Sequence, residues 1–222
     1  MSKTNTEIVR EQIEEVINHK HIDRIFDYYS RDCIIHNPPY VGLGLNFDDR
    51  SGEYLILTEI ASSGPAAGKL RLKDKIVRVK DDVKTWGTFQ DLKNGLWGQG
   101  VLGTPLTVTV NRDGKLIEIP LERGRVEGFD LNLSTNIEIW NDFTLKIWPD
   151  LKVEIRVICG EGDLVACYLV NSGTNQEYHH SAVWDECDIY RLKDGKIIEV
   201  WGVESLLVQM KQLGYQILPP VV

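Results

Sequence analysis

An α+β protein whose first domain is interrupted by a second is what this 222-residue chain predicts. Three observations lead there: apolar residues at helical spacing near the N-terminus, alternating strand-like segments in the last third, and a middle stretch with the opposite charge balance. Helices followed by a meander of long strands make an α+β fold. Residues 40–125 hold 13 Lys/Arg against 11 Asp/Glu, while the remainder holds 12 against 22, so a net −8 chain contains a slightly basic module. Pro38-Pro39 precede that module and Gly124 and Gly128 close it, which is linker punctuation at both edges. The flanks are uncomfortably small singly but together make one domain of ordinary size. The expected organisation is a discontinuous host domain, 1–39 plus 126–222, with an inserted domain at 40–125.

In the first flank, Thr4 and Glu7 form a capping-box pattern ahead of Val9, Ile13, Val16 and Ile17, which predicts an amphipathic helix of about four turns. A short second helix from Asp23 places Ile25, Phe26 and Tyr29 on one face, before a strand at Cys33-Ile34-Ile35. Trp140, Phe143 and Ile147 repeat at helical spacing, and Pro149 stops that helix. The period then changes. Val153, Ile155, Val157 and Cys159 alternate with Glu154 and Arg156, and the chain turns through residues 160–163 into Leu164 to Val170. A strand from Tyr178 to Leu192, the two-residue Asp194-Gly195 turn and a strand from Lys196 to Val203 complete the meander.

Composition excludes several classes. With 42% apolar and 26% charged residues the chain is an ordinary globular protein. Its longest apolar run has seven residues, Leu164 to Val170, against roughly 20 for a membrane-spanning helix. The polar N-terminus lacks an apolar signal segment, so a cytoplasmic location is expected. Cys33, Cys159, Cys167 and Cys187 lack metal-binding spacing and read as reduced core thiols. His179-His180 point to opposite faces of a strand and cannot chelate one ion together. No metal, no cofactor, no nucleic acid and no membrane partner are therefore expected. The string Gly98-Gln99-Gly100-Val101-Leu102-Gly103 satisfies a dinucleotide fingerprint but leads into a strand rather than a helix, which removes the pyrophosphate site.

Gly162-Asp163-Leu164-Val165-Ala166, Asp188-Ile189-Tyr190-Arg191, Asp194 through Trp201, Gln212-Leu213-Gly214, His36-Asn37-Pro38 and Trp148-Pro149-Asp150-Leu151 together resemble the SnoaL-like polyketide cyclases of the nuclear transport factor two-like superfamily. The resemblance implies a cone-shaped host, with helices packed on a curved antiparallel sheet around a hollow. Strand alternation gives Trp184, Glu186, Asp188 and Tyr190 one face; the resemblance turns that face toward the hollow. Glu186 and Asp188 then stand about 7 Å apart against apolar walls from Trp184, Ile198 and Val200, where burial raises a carboxyl pKa toward values useful for proton abstraction beside a carbonyl. The family's acid position is Gly202 here, and its histidine position is Asp188. Asp188 is thus a candidate base with His36 as a second proton carrier, or Glu204 reaches back from two residues on. Trp184, Glu186, Tyr190 and Trp201 are candidate substrate contacts, although Trp184 and Trp201 can also close the hollow by packing. Tyr28, Tyr29 and Trp140 read as core.

Gly42-Leu43-Gly44-Leu45, Gly64-Pro65-Ala66-Ala67, Leu70 through Val79 and Gly103 through Lys115 resemble a bacterial-type PDZ domain, a β-barrel or sandwich; Lys73 replaces a customary glycine. The resemblance implies that Gly42, Leu43 and Gly44 present backbone N–H groups to a peptide carboxylate. A peptide would then pair with the strand of Leu45, Asn46 and Phe47, opposite a helix beginning at Phe89. The expected function is a cyclase- or isomerase-type protein holding a hydrophobic carbonyl compound, with an insert that binds a protein C-terminus or regulates the pocket. The other reading is a non-catalytic adaptor. A homodimer is expected in both.

Overall fold

The computed structural model describes residues 3–128 and 130–216. The chain divides into two compact units, Met1–Asn37 with Asp130–Val222, and Pro38–Phe129. Helix α1 (Asn5–Gln12) starts on the expected capping box, in which the Thr4 side chain accepts from the Glu7 N–H and the Glu7 carboxylate accepts from the Thr4 N–H at 2.7 Å. It widens into a π-helical segment, Ile13–Asn18, and buries Ile8, Val9, Ile13, Val16 and Ile17. A 3-10 turn, Ile22–Arg24, leads into α2 (Ile25–Tyr28). Tyr29, expected on that helix, instead begins strand β1 (Tyr29–His36).

The second unit contains β2 (Tyr40–Gly42), β3 (Leu45–Asp48), β4 (Leu55–Ile60), β5 (Lys75–Asp81), β6 (Thr85–Trp86), α3 (Phe89–Asn94), β7 (Pro105–Arg112), β8 (Lys115–Glu122) and β9 (Gly124–Val126). Its main sheet runs β3-β4-β5-β7-β8 with β6 added to β5, while β2 pairs separately with β9. The sheet is open rather than a closed barrel, because β3 and β8 end the order and do not pair with each other. Its core holds Leu43, Leu55, Leu57, Ile76, Leu92, Trp97, Val108 and Val110. Asp113 and Gly114, both at positive φ, make the tight turn between β7 and β8.

The first unit resumes with β10 (Asp130–Asn132), α4 (Ile137–Asp142) passing into π-helical Phe143–Ile147, then β11 (Lys152–Glu161), β12 (Leu164–Asn175), β13 (His180–Lys193), β14 (Lys196–Glu204) and α5 (Leu206–Gln212). The sheet order is β10-β1-β14-β13-β12-β11. Every pair is antiparallel except β1 with β14, which is parallel, a departure from the all-antiparallel expectation. No hairpin constrains these two strands, since they come from opposite ends of the unit. Asp194 and Gly195 both have positive φ, as a two-residue hairpin turn requires. The side chain of Asn18 brackets Val153, accepting from its N–H at 2.8 Å and donating to its carbonyl at 3.0 Å, which fixes the end of the first helix against β11. Among the described residues no helix is long and apolar enough to cross a membrane.

Two bulges shift the alternation read from the sequence. In β11 the register slips between Ile155 and Val157, so Ile158 packs on the core and Val157 and Cys159 face solvent. Cys187 is exposed as well, lying between inward-facing Glu186 and Asp188 on β13. Only Cys33 and Cys167 are core thiols, and burial pushes both pKa values up to about 12. A second slip lies between Arg191 and Leu192 on β13, opposite the Ile197–Glu199 stretch. It buries Ile197 and Val200, leaving Ile198 only half-buried and outside the expected wall.

Candidate functional site

Inward-facing residues of β12 and β13 meet the first helix and α4 around a cavity of about 270 Å³. Trp184, Glu186, Asp188 and Tyr190 all line it, as does Glu204. Cross-strand register explains the grouping: Glu204 lies opposite Glu186, and Gly202 lies opposite Asp188. The remaining wall includes Gln12, Tyr29, Trp140, Phe143, Thr144, Leu169 and Asn171. Trp184 packs on Trp148 with ring centroids 4.8 Å apart, which holds its indole at the wall and leaves the cavity open.

The carboxyls are not equivalent. Burial, followed by the neighbouring Asp188 charge, raises Glu186 to about 7, although Asn171 Nδ2 donates to its Oε2 and opposes the shift. Burial also raises Asp188, but hydrogen bonds from Tyr190 and Glu186 favour its charged form. The Tyr190 hydroxyl donates to Asp188 Oδ2 at 2.6 Å. Asp188 thus has the donors that favour its charged form, and Glu186 the neighbouring charge that favours its neutral form. Glu204 keeps one side open to solvent at the mouth, and burial of its other side and the Glu186 charge push it upward. Tyr29 and Tyr190 are raised well above the ordinary phenol value, chiefly by burial, and remain neutral donors.

This predicts a pH effect on stability. Between about pH 4.5 and 7 the folded protein keeps a proton on Glu186 that the unfolded chain has lost, so stability falls as pH rises through that window. The loss approaches roughly 3 kcal/mol for a shift of this size. Urea midpoints measured at pH 5 and 7.5 should show a steeper fall in the wild type than in Glu186→Gln, which carries no titrating group there.

Two expected site residues are elsewhere. Trp201 sits between inward-facing Val200 and Gly202, so alternation turns it to the opposite face of β14. His36 stacks on Trp201 with centroids 4.6 Å apart, and its Nδ1 pairs with Asp130 at 2.8 Å. Neither lines the cavity. Tyr28 and Tyr29 belong to the core as read, with Trp140 packed against it, and Tyr29 and Trp140 also line the cavity. Gln12 was discoverable as a polar residue on the apolar face of α1, and Asn171 as one at an inward position of β12. Among the described residues no cluster of His, Cys, Asp and Glu could hold a metal ion.

In the second unit, β3 is a sheet edge with one side unpaired. Gly44 has φ +75°, and a Cβ there would lie 3.0 Å from the Ala61 Cβ, so the loop requires glycine. Its donors are already engaged. The Leu43 N–H donates to the Gly98 carbonyl at 2.9 Å, and the Gly44 and Leu45 N–H groups serve the Tyr40 phenol oxygen. The Tyr40 ring lies over Gly42, where an added Cβ would come within 2.6 Å of it. Leu43 is fully buried, Leu45 and Phe89 pack against the core, and Phe47 stacks on Trp97 at 5.8 Å.

Residues 133–213 match the sequence profile of the family described as SnoaL-like polyketide cyclase. The matched residues lie in the first unit, which is of mixed α+β fold. No curated protein matches the chain. Among solved structures, IdmH from Streptomyces antibioticus, provisionally described as a polyketide cyclase, is 14% identical, with 96% of this chain and 100% of that one covered and a TM-score of 0.48. TsrD from Streptomyces laurentii is 11% identical, with coverage of 96% and 98% and a TM-score of 0.45. A Bacillus cereus protein, also provisionally described as a polyketide cyclase, is 31% identical over 37% of this chain and 52% of its own, with a TM-score of 0.31.

Proposed function

We propose that the cavity binds a compact hydrophobic carbonyl compound and that Asp188 and Glu186 move a proton at the carbon beside its carbonyl, the chemistry of a cyclase or isomerase. The observation that carries this reading is the carboxyl pair itself, Glu186 and Asp188 side by side on the inward face of β13 and held against an apolar wall. Asp188 takes the proton from carbon, and Glu186 donates its own to the carbonyl oxygen as negative charge develops there. The volume is slightly below the usual range of about 300–1,000 Å³ for ligand pockets, which fits one or two rings. Gly202 supports the assignment: a Cβ there would lie 2.7 Å from Asp188 Oδ1, so the Asp188 carboxyl fills the space a side chain at 202 would use. Glu204, at the mouth, is a secondary proton carrier, and His36 has no part in the step. NMR detection of solvent deuterium entering the α-position of cyclohexanone tests the reading. Exchange above the buffer rate supports it, and exchange at the buffer rate returns the cavity to binding alone.

For the second unit we propose a PDZ-like inserted domain that captures a peptide C-terminus along the free edge of β3, the carboxylate displacing the Tyr40 hydroxyl from the loop. Tyr40→Phe removes that internal competitor and should tighten binding of free-carboxylate peptides several-fold, about 1 kcal/mol for one hydrogen-bonding group. Titration against amidated versions checks this, because equal affinity for acid and amide rejects carboxylate capture.

The host is further proposed to form a homodimer through the outward face of its sheet. Tyr168, Cys187 and Val203 form an exposed cross-strand row there. Sedimentation equilibrium should give a dimer for the wild type and a monomer for Val203→Glu.

A further inference from the structure

We propose that the carbonyl compound held in the cavity also carries a protonated amine, so that an amino-substituted ring ketone is taken in preference to an uncharged or acidic one. The inference rests on the reading of this cavity as a small-molecule site and names the chemical class it selects. Charge is the first observation: Glu186, Asp188 and Glu204 line the cavity, and among the described residues no Lys, Arg or His does. An anionic ligand would enter against these carboxyls.

Hydrogen-bond accounting is the second. Gln12 Oε1 and Asn171 Oδ1 have no partner, although the residues are only 1% and 3% exposed. Buried acceptors without donors are costly, and these two belong to opposite walls, the first helix and β12. The carboxylates add further acceptors, against one indole donor, Trp184 Nε1, which faces Glu204, and the Thr144 hydroxyl, which accepts as well as donates. An ammonium group brings three N–H donors and no acceptor, which answers that imbalance as a carbonyl or carboxylate cannot.

The third observation is the wall. Tyr29, Trp140, Phe143, Trp184 and Tyr190 surround the same space, and aromatic faces attract cations, best when water is excluded. A hydroxylated neutral ligand would satisfy the acceptors but gain nothing from the negative charge or from these faces. An amine gains from all three, and its ring occupies the apolar portion near Trp140 and Phe143.

Calorimetric titration of the full chain with benzylamine, benzyl alcohol and benzoate, three probes of one ring and nearly one size, tests the proposal. Benzylamine should bind at least about tenfold more tightly than benzyl alcohol, and benzoate should show no binding. The preference should vanish in the double variant Glu186→Gln/Asp188→Asn, which keeps the shape and removes the charge of the pair. Benzyl alcohol binding as well as benzylamine would overturn the amine while leaving the pocket in place. Persistence of the preference in that double variant would place the amine elsewhere and also overturn it. Failure of all three probes to bind the wild type would overturn the pocket reading together with the amine.

Discussion

Asp188→Asn is expected to lose α-proton exchange by about 10²–10⁴-fold, the usual contribution of a positioned general base, with the host still folded. The amide oxygen can accept the Tyr190 hydroxyl as the carboxylate does, so packing persists while the base is gone. Glu186 should respond as well. Without the neighbouring charge, which is the second contribution to its elevation after burial, its pKa should move down toward the ordinary range. Tyr190→Phe provides the contrasting case, because it leaves the base and removes the donor that favours its ionised form. Its activity should survive with the acidic limb of the pH profile moved upward. Equal loss in both variants, with an unchanged profile in Tyr190→Phe, would mean that the pair is structural.

The largest stability effect is expected in the other unit, from Arg123→Ala. The Arg123 side chain is 6% exposed and pairs with Asp81 at 3.0 Å. Its guanidinium also donates to the Trp97 carbonyl at 3.0 and 3.3 Å and to the Thr104 hydroxyl at 3.0 Å. It thereby joins β5, the segment after α3 and the end of β8. Truncation strands a buried carbonyl and a half-buried carboxylate, for which a loss of about 3–5 kcal/mol is typical. Arg123→Lys should recover part of it by restoring charge without the fork of donors. Urea unfolding followed through Trp97, which is 1% exposed, reads the transition of this unit.

The face of β13 was legible because period-two alternation runs unbroken from Trp184 to Tyr190 and needs no knowledge of distant contacts. It failed where bulges intervene. Ile198 and Cys159 were assigned inward by counting, and each lies at or beyond a register slip that reverses the count. Trp201 failed differently: its neighbour Gly202 leaves room for Asp188, so the aromatic ring rather than the glycine faces away from the cavity. The walls from the first helix and α4 depend on how helices dock on a sheet, which local pattern does not encode. In the insert, the glycines marked the loop correctly, but nothing local indicated that the Tyr40 hydroxyl would engage its donors.

The central claim is that Glu186 and Asp188 share a proton inside the cavity near neutral pH. Carbon-13 NMR of side-chain-labelled Glu, with Glu186 assigned by its loss in Glu186→Gln, measures this directly. A Glu186 titration at about 7 that moves down in Asp188→Asn is expected. A titration at the ordinary glutamate value of 4.5, unchanged by that substitution, would contradict it.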